Sequence, residues 1–114
     1  MDFVKEKYGN ITVEVVNLER ATLKEAEEFK SILSRDVDEG ARHLVADLSQ
    51  SEFIDSTFLG ALVITLKKVT ALGGDLKLVG FQPAVRSMFE LTRMFRVFET
   101  FSTKEEAIKS YFQA

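Results

Sequence analysis

Two periods of apolar residues alternate along this chain, and that alternation limits its fold more than any single residue does. Ile11, Val13 and Val15 recur at every second position with Thr12 and Glu14 between them, the pattern of a half-buried strand. Leu23, Ala26, Phe29, Leu33 and Val37 follow at the three- and four-residue spacing of one helical face, with Lys24, Glu27, Glu28 and Lys30 outside it. His43 to Leu48 is a short, mostly apolar run without strict alternation, as expected of an interior strand covered on both faces. From Ser56 to Leu72 the helical period returns in Leu59, Leu62, Val63, Leu66 and Val69, and Leu76 to Val79 reads as another strand.

The junctions carry their own chemistry. Tyr8-Gly9-Asn10 predicts a turn that pairs Phe3 to Tyr8 with the next strand as a hairpin. Thr22-Leu23-Lys24-Glu25 fits a capping box, in which the Thr oxygen takes an early N–H and the Glu reaches back to the Thr N–H. Gly40 stops that helix, and Gly73-Gly74 stops the next. Pro83 suits the first position of a third helix carrying Val85, Met88, Phe89 and Leu91, with Gln82 a mediocre cap. Val97 to Phe101 predicts a last short strand, and Ser102-Thr103-Lys104-Glu105 a second capping box opening a helix to about Phe112. Strand–helix–strand steps with short connections favour right-handed crossovers. The expected class is therefore α/β: a mixed, mostly parallel sheet of four to five strands, with about four helices packed mainly on one side. The opposite face then needs its own apolar cover or stays partly wet.

Composition removes whole classes of function. At 114 residues the chain holds one ordinary core, so residues 1–114 read as a single domain. With no Cys there is no disulfide, thiolate nucleophile or zinc-thiolate site, and one His leaves little for a nitrogen-ligated metal, so neither metal nor cofactor is expected. Fifteen basic against eighteen acidic residues give a net charge of −3 without a basic stripe, which argues against nucleic acid as a partner. Met1 to Tyr8 lacks the apolar run of a signal peptide and no segment approaches a membrane span, so no direct membrane insertion is expected and the chain reads as cytoplasmic. Ten Phe and no Trp is a phenylalanine-heavy composition, and some of that surface is expected outside the core.

The most informative segment is Phe53-Ile54-Asp55-Ser56-Thr57-Phe58-Leu59-Gly60, where a hydrophobic approach ends in Asp-Ser-Thr at a helix start. Two readings stand side by side. Asp55 or Ser56 simply caps the helix, or Ser56 accepts a phosphoryl group, which a helix N-terminus can hold through its unpaired N–H groups and positive dipole end. Phosphate would add roughly 1.5 to 2 negative charges at neutral pH, enough to repel a closely fitted partner.

Asp47-Leu48-Ser49, then Phe53-Ile54-Asp55-Ser56-Thr57, Leu59-Gly60, Gly73-Gly74 and Pro83-Ala84-Val85 stand in the order and spacing of the STAS domain, over nearly the whole chain. The sequence resembles bacterial anti-sigma factor antagonists in particular. The resemblance implies a binding protein without catalysis of its own. The serine after the motif aspartate, here Ser56, would be phosphorylated by an anti-sigma factor that is also a serine kinase. Unphosphorylated, the antagonist would bind that factor and free the sigma factor. Asp55 would orient the acceptor and contact the partner, Thr57 would extend the polar patch, and a PP2C-type phosphatase would reset the switch; a homodimer is compatible with this scheme.

The chain departs from the family pattern at three places: Phe58 stands where the family has Gly, Thr92-Arg93-Met94 replaces Thr-Gly-Leu, and Thr22 takes the place of an Asp at the start of the first helix. On a helical wheel Leu59, Leu62, Val63 and Leu66 share the core arc, Ala61, Ile64, Thr65 and Lys68 lie on the other side, and Phe58 sits on the border. That second face either packs on a neighbouring helix or presents Phe58, Ala61 and Ile64 as a docking patch beside Ser56. Under a competing reading the chain is a constitutive interaction module, a signalling scaffold or transporter accessory subunit, with Ser56 a cap and Phe58 the anchor. No catalytic group is assigned: Asp47 and Asp55 lack a third partner, and His43 precedes its strand at the end away from Ser56.

Overall fold

The computed structural model describes residues 1–113. In chain order the strands are β1 (Phe3–Tyr8), β2 (Ile11–Val16), β3 (Arg20–Ala21), β4 (His43–Asp47), β5 (Phe53–Ile54), β6 (Asp75–Val79) and β7 (Thr100–Phe101), and the helices are α1 (Leu23–Asp38), α2 (Ser56–Ala71), α3 (Pro83–Leu91) and α4 (Lys104–Tyr111). The main sheet has five strands in the order β1-β2-β4-β6-β7, antiparallel in the opening hairpin and parallel thereafter. This is the expected mixed α/β sheet.

Local rules account for most of the element ends. Thr22 Oγ1 accepts from the Lys24 N–H at 3.4 Å while Glu25 Oε1 accepts from the Thr22 N–H at 2.9 Å, so α1 begins at the capping box. Gln82 makes no side-chain cap, and Pro83 alone opens α3. At the end of α2, Gly73 adopts a φ of +87°, whereas a Cβ on Gly74 would collide with the Arg42 carbonyl. The first glycine is needed for conformation and the second for close approach.

Three expectations shift. The last strand starts at Thr100, because Met94–Arg96 forms a 3-10 turn entered through Arg93 at φ 59°. The α4 cap is Thr103 with Glu106, one residue beyond the expected Ser102 and Glu105. Both pairs fit the motif; the strand ending at Phe101 opposite Val79 decides between them. Strand β2 is buried at all six positions rather than alternately, because α1 covers Thr12 and Glu14 as closely as α4 covers Ile11 and Val13.

The sheet divides the interior into two cores. On one face Leu44, Ala46, Leu76 and Leu78 meet Phe29 and Leu33 of α1, Phe58 and Leu62 of α2, and Phe89 of α3. On the other, Ile11, Val13, Val45 and Val79 are closed off by α4 through Ala107, with Ile108, Tyr111 and Phe101 at the edge. The second face is therefore not left wet. Lys77, only 6% exposed there, is matched by Glu99 at 2.9 Å and the Ser110 hydroxyl at 2.7 Å. Much of the phenylalanine complement is core after all: Phe3, Phe29 and Phe58 stack in a column with centroids 4.7 and 5.0 Å apart, and Phe81, Phe95 and Phe98 surround Phe89.

Candidate functional site

Beside the main sheet, β3 and β5 pair in parallel, Arg20 opposite Phe53 and Ala21 opposite Ile54. Two residues per strand carry no period, so the sequence gives no sign of this pairing, yet it builds the site. It lays the start of α1 next to the start of α2, and the Asp55 N–H donates to the Ala21 carbonyl at 3.2 Å. Buried Ser51 anchors the approach by donating to the Leu18 carbonyl at 2.7 Å, and the Gln82 side-chain amide donates to the Ser49 carbonyl at 2.9 Å.

Asp55 is the cap of α2 and more. Its Oδ1 accepts from the Phe58 N–H at 2.9 Å, and its Oδ2 accepts from the Leu23 N–H, the first residue of α1, at 2.8 Å. One carboxylate thus joins two parallel helix N-termini, each an excess of unpaired N–H groups and partial positive charge. Because Asp55 supplies both accepting oxygens, Ser56 is free of the capping duty. It is the first residue of α2 and, like Thr57, is exposed. The residue is open to solvent at the positive end of α2, beside the start of α1, a setting that favours an attached anion.

The flank is partly apolar and partly acidic. Leu23 is 69% exposed, and the Arg20 guanidinium lies 4.3 Å over the Phe53 ring. Glu19 lies beside Glu52 and holds the Glu52 carboxyl above its usual range. Leu23 and Arg20 escape a reading of the sequence, since their place beside Ser56 depends on the β3–β5 pairing.

Phe58 is not a docking anchor. Its side chain is wholly inaccessible, parallel to Phe29 at an interplanar angle of 5°. The wheel placed it on the border because it counts only the helix's own core arc; α1, running parallel alongside, widens that arc to include Phe58. Ala61 follows it into the seam, 4% exposed, and so does Thr65, whose hydroxyl donates to the Ala61 carbonyl at 2.9 Å. Of the expected docking trio only Ile64, 53% exposed, faces outward. Asp47 spends an oxygen on the Ser49 N–H at 2.9 Å, and His43 stacks on Tyr111 at 4.6 Å, so neither joins Ser56. Among the described residues no group of three or more His, Cys, Asp or Glu could hold a metal, and no helix is long and apolar enough to cross a membrane.

The STAS domain model matches residues 6–107 of the chain. The chain belongs to the STAS domain family. Among curated relatives, BtrV of Bordetella bronchiseptica, assigned as an anti-sigma factor antagonist, is 29% identical over 86 residues, 75% of this chain and 74% of that protein. A Thermotoga maritima structure assigned the same way superposes with a TM-score of 0.88 at 24% identity, covering 97% of this chain and 95% of that one. The anti-sigma factor antagonist SpoIIAA superposes in its unphosphorylated form with a TM-score of 0.80 at 18% identity, over 98% of this chain and 99% of that one. Its phosphorylated form from Bacillus gives 0.75 at 20% identity, over 96% and 98%. These structural likenesses establish the shared STAS fold; the acceptor in this chain is a question for its own residues.

Proposed function

We propose that this STAS domain is an anti-sigma factor antagonist, a cytoplasmic regulator of transcription that acts by binding and is itself a substrate rather than an enzyme. Its partner is an anti-sigma factor that doubles as a serine kinase. Unphosphorylated, the chain holds that partner and the sigma factor is released; phosphorylated on Ser56, it lets go. A PP2C-type phosphatase restores the binding form, and the cycle requires no homodimer.

The observation that carries the reading is the Asp55 bridge. It ties down the backbone on either side of the site through the Leu23 and Phe58 N–H groups and leaves Ser56 exposed and free of the cap. A phosphoryl group can then be added and removed without dismantling a cap, while its charge changes what a partner meets. Asp55 orients the acceptor from inside the turn, and Thr57, with exposed Leu23, forms the adjoining contact surface. The relatives' assignment as anti-sigma factor antagonists supports the same reading. The competing constitutive module loses its anchor with the burial of Phe58.

Incubation with the cognate kinase and ATP, followed by intact mass and peptide mapping, tests it. One added phosphate on Ser56 and none on Ser56→Ala is the expected result. Failure of a cognate kinase to modify Ser56, with binding unaffected, would sink the switch.

A further inference from the structure

Along the seam between α1 and α2 runs an open groove. One stretch, of about 450 Å³, lies where Lys30, Ser34, Arg35 and Asp38 of α1 face Ile64 and Lys68 of α2. A second, smaller stretch of about 240 Å³ continues from Glu27, Lys30 and Ile64 past Gly60 and Ala61 to Thr57, the neighbour of Ser56. The groove thus starts at Thr57, one residue from Ser56, and leads away from it.

Three observations say what it accommodates. Gly60 lies inside α2, where glycine costs about 1 kcal/mol relative to alanine. An added Cβ there would meet nothing within 4 Å, so close packing is not the reason for the glycine; its effect is to keep the groove floor low. Ile64 forms an aliphatic wall that is 53% exposed. The third is charge. The chain carries −3 overall, yet along the groove Lys30, Arg35 and Lys68 stand against Glu27 and Asp38, a local excess of one positive charge. Lys68 is held in place by Asp38 at 2.8 Å and the Ser34 hydroxyl at 2.6 Å, and Lys30 by Glu27 at 3.3 Å. Arg35 makes no ion pair among the described residues, so a partly apolar groove with a small positive excess on an acidic protein is complementary to a segment of opposite charge.

We infer that this groove is the track for an acidic, amphipathic segment of the partner protein. An aliphatic side chain of the segment settles over Gly60 against Ile64, and flanking carboxylates pair with Lys30 and Arg35. The inference rests on the partner-binding reading above and adds the chemistry the partner must present. It also gives the switch its sign: phosphate at the head of the groove, carrying roughly −1.5 to −2, repels the same acidic segment that the basic walls attract.

The test is a titration of the 15N-labelled full chain with a synthetic sixteen-residue amphipathic peptide rich in Glu and Leu, beside the same peptide with every Glu replaced by Lys. The acidic peptide is expected to move the amide signals of Lys30, Gly60 and Ile64, and the basic one to leave them in place. Gly60→Leu, which fills the floor, is expected to weaken binding at least about tenfold, and so is the double change Lys30→Glu with Arg35→Glu, which leaves the groove floor intact should the leucine variant fail to fold. Absence of binding, shifts mapping elsewhere, equal binding by the basic peptide, or variants that bind like the wild type would each overturn the groove. Phosphate transfer to Ser56 plays no part in this titration, so a failure of the switch and a failure of the groove are separable.

Discussion

Helix α1 meets a carboxylate at each end, in opposite company. At its N-terminus Asp55 accepts two backbone N–H groups, at 2.8 and 2.9 Å, from two helix starts. Near its C-terminus Asp36 is 4% exposed and lies against Glu14 of β2, which is 1% exposed. Lys5 reaches in from β1, 2.6 Å from Asp36 Oδ1 and 3.9 Å from Glu14 Oε2. Glu14 Oε2, Asp36 Oδ2 and the nearby Thr12 hydroxyl have no hydrogen-bond partner when both acids are ionised. One proton between the acids gives those carboxyl oxygens a donor. Burial pushes Glu14 up to about 8, with Asp36 acting in the same direction and Lys5 opposing it. A carboxylate at helix N-termini is stabilised as an anion, whereas one placed against another acid away from water holds a proton. New negative charge is therefore tolerable at the Asp55 end, where Ser56 lies, and costly at the other.

The comparison breaks most readily at Lys5. Lys5→Met removes the cation from the buried pair and should cost about 3 kcal/mol near pH 7 in urea unfolding, since an unpaired buried charge is among the costlier lesions. At the opposite end, Asp55→Ala removes a cap and the tie to Leu23 together, for an expected loss of about 2 kcal/mol by the same measurement.

The proton itself is tested by pH. In the unfolded chain Glu14 titrates near 4.5, and in the folded chain near 8. Between those values the folded state holds a proton that the unfolded state has lost, so stability falls as pH rises, by up to about 1.4 kcal/mol per unit, and the fall ends above the folded value. Glu14→Gln, which offers Asp36 an amide donor at every pH, should flatten that part of the curve. Facing this pair, Lys5 stays charged through the window, its pKa raised by Asp36. The smallest effect belongs to the proposed acceptor: Ser56→Ala should change stability by less than about 0.5 kcal/mol, because Asp55 makes the cap. A larger loss would return Ser56 to a structural role.

These two regions were unequally legible. The Asp-Ser-Thr triplet announces a helix start, and Thr22 with Glu25 announces another, because capping is settled within four residues. That the two starts meet was hidden, since Asp55 and Leu23 are 32 residues apart and join through a pairing of two-residue strands. Glu14 looked like the solvent side of an alternating strand; only α1 lying over that face makes it a buried acid. Phe58 was misjudged for the same reason, because the residue that claims it, Phe29, belongs to another helix.

By itself, then, the sequence determined the order of strands and helices, the caps and glycine stops, and the motif that marks Ser56. Those depend on hydrogen bonds and periodicities within a few residues of one another. The tertiary structure decided which polar group is exposed and which is buried, what Asp55 joins, that α4 closes the second face of the sheet, and that a groove leads away from Ser56. Each of these depends on surfaces contributed by segments distant in the chain, whose contacts no local period encodes.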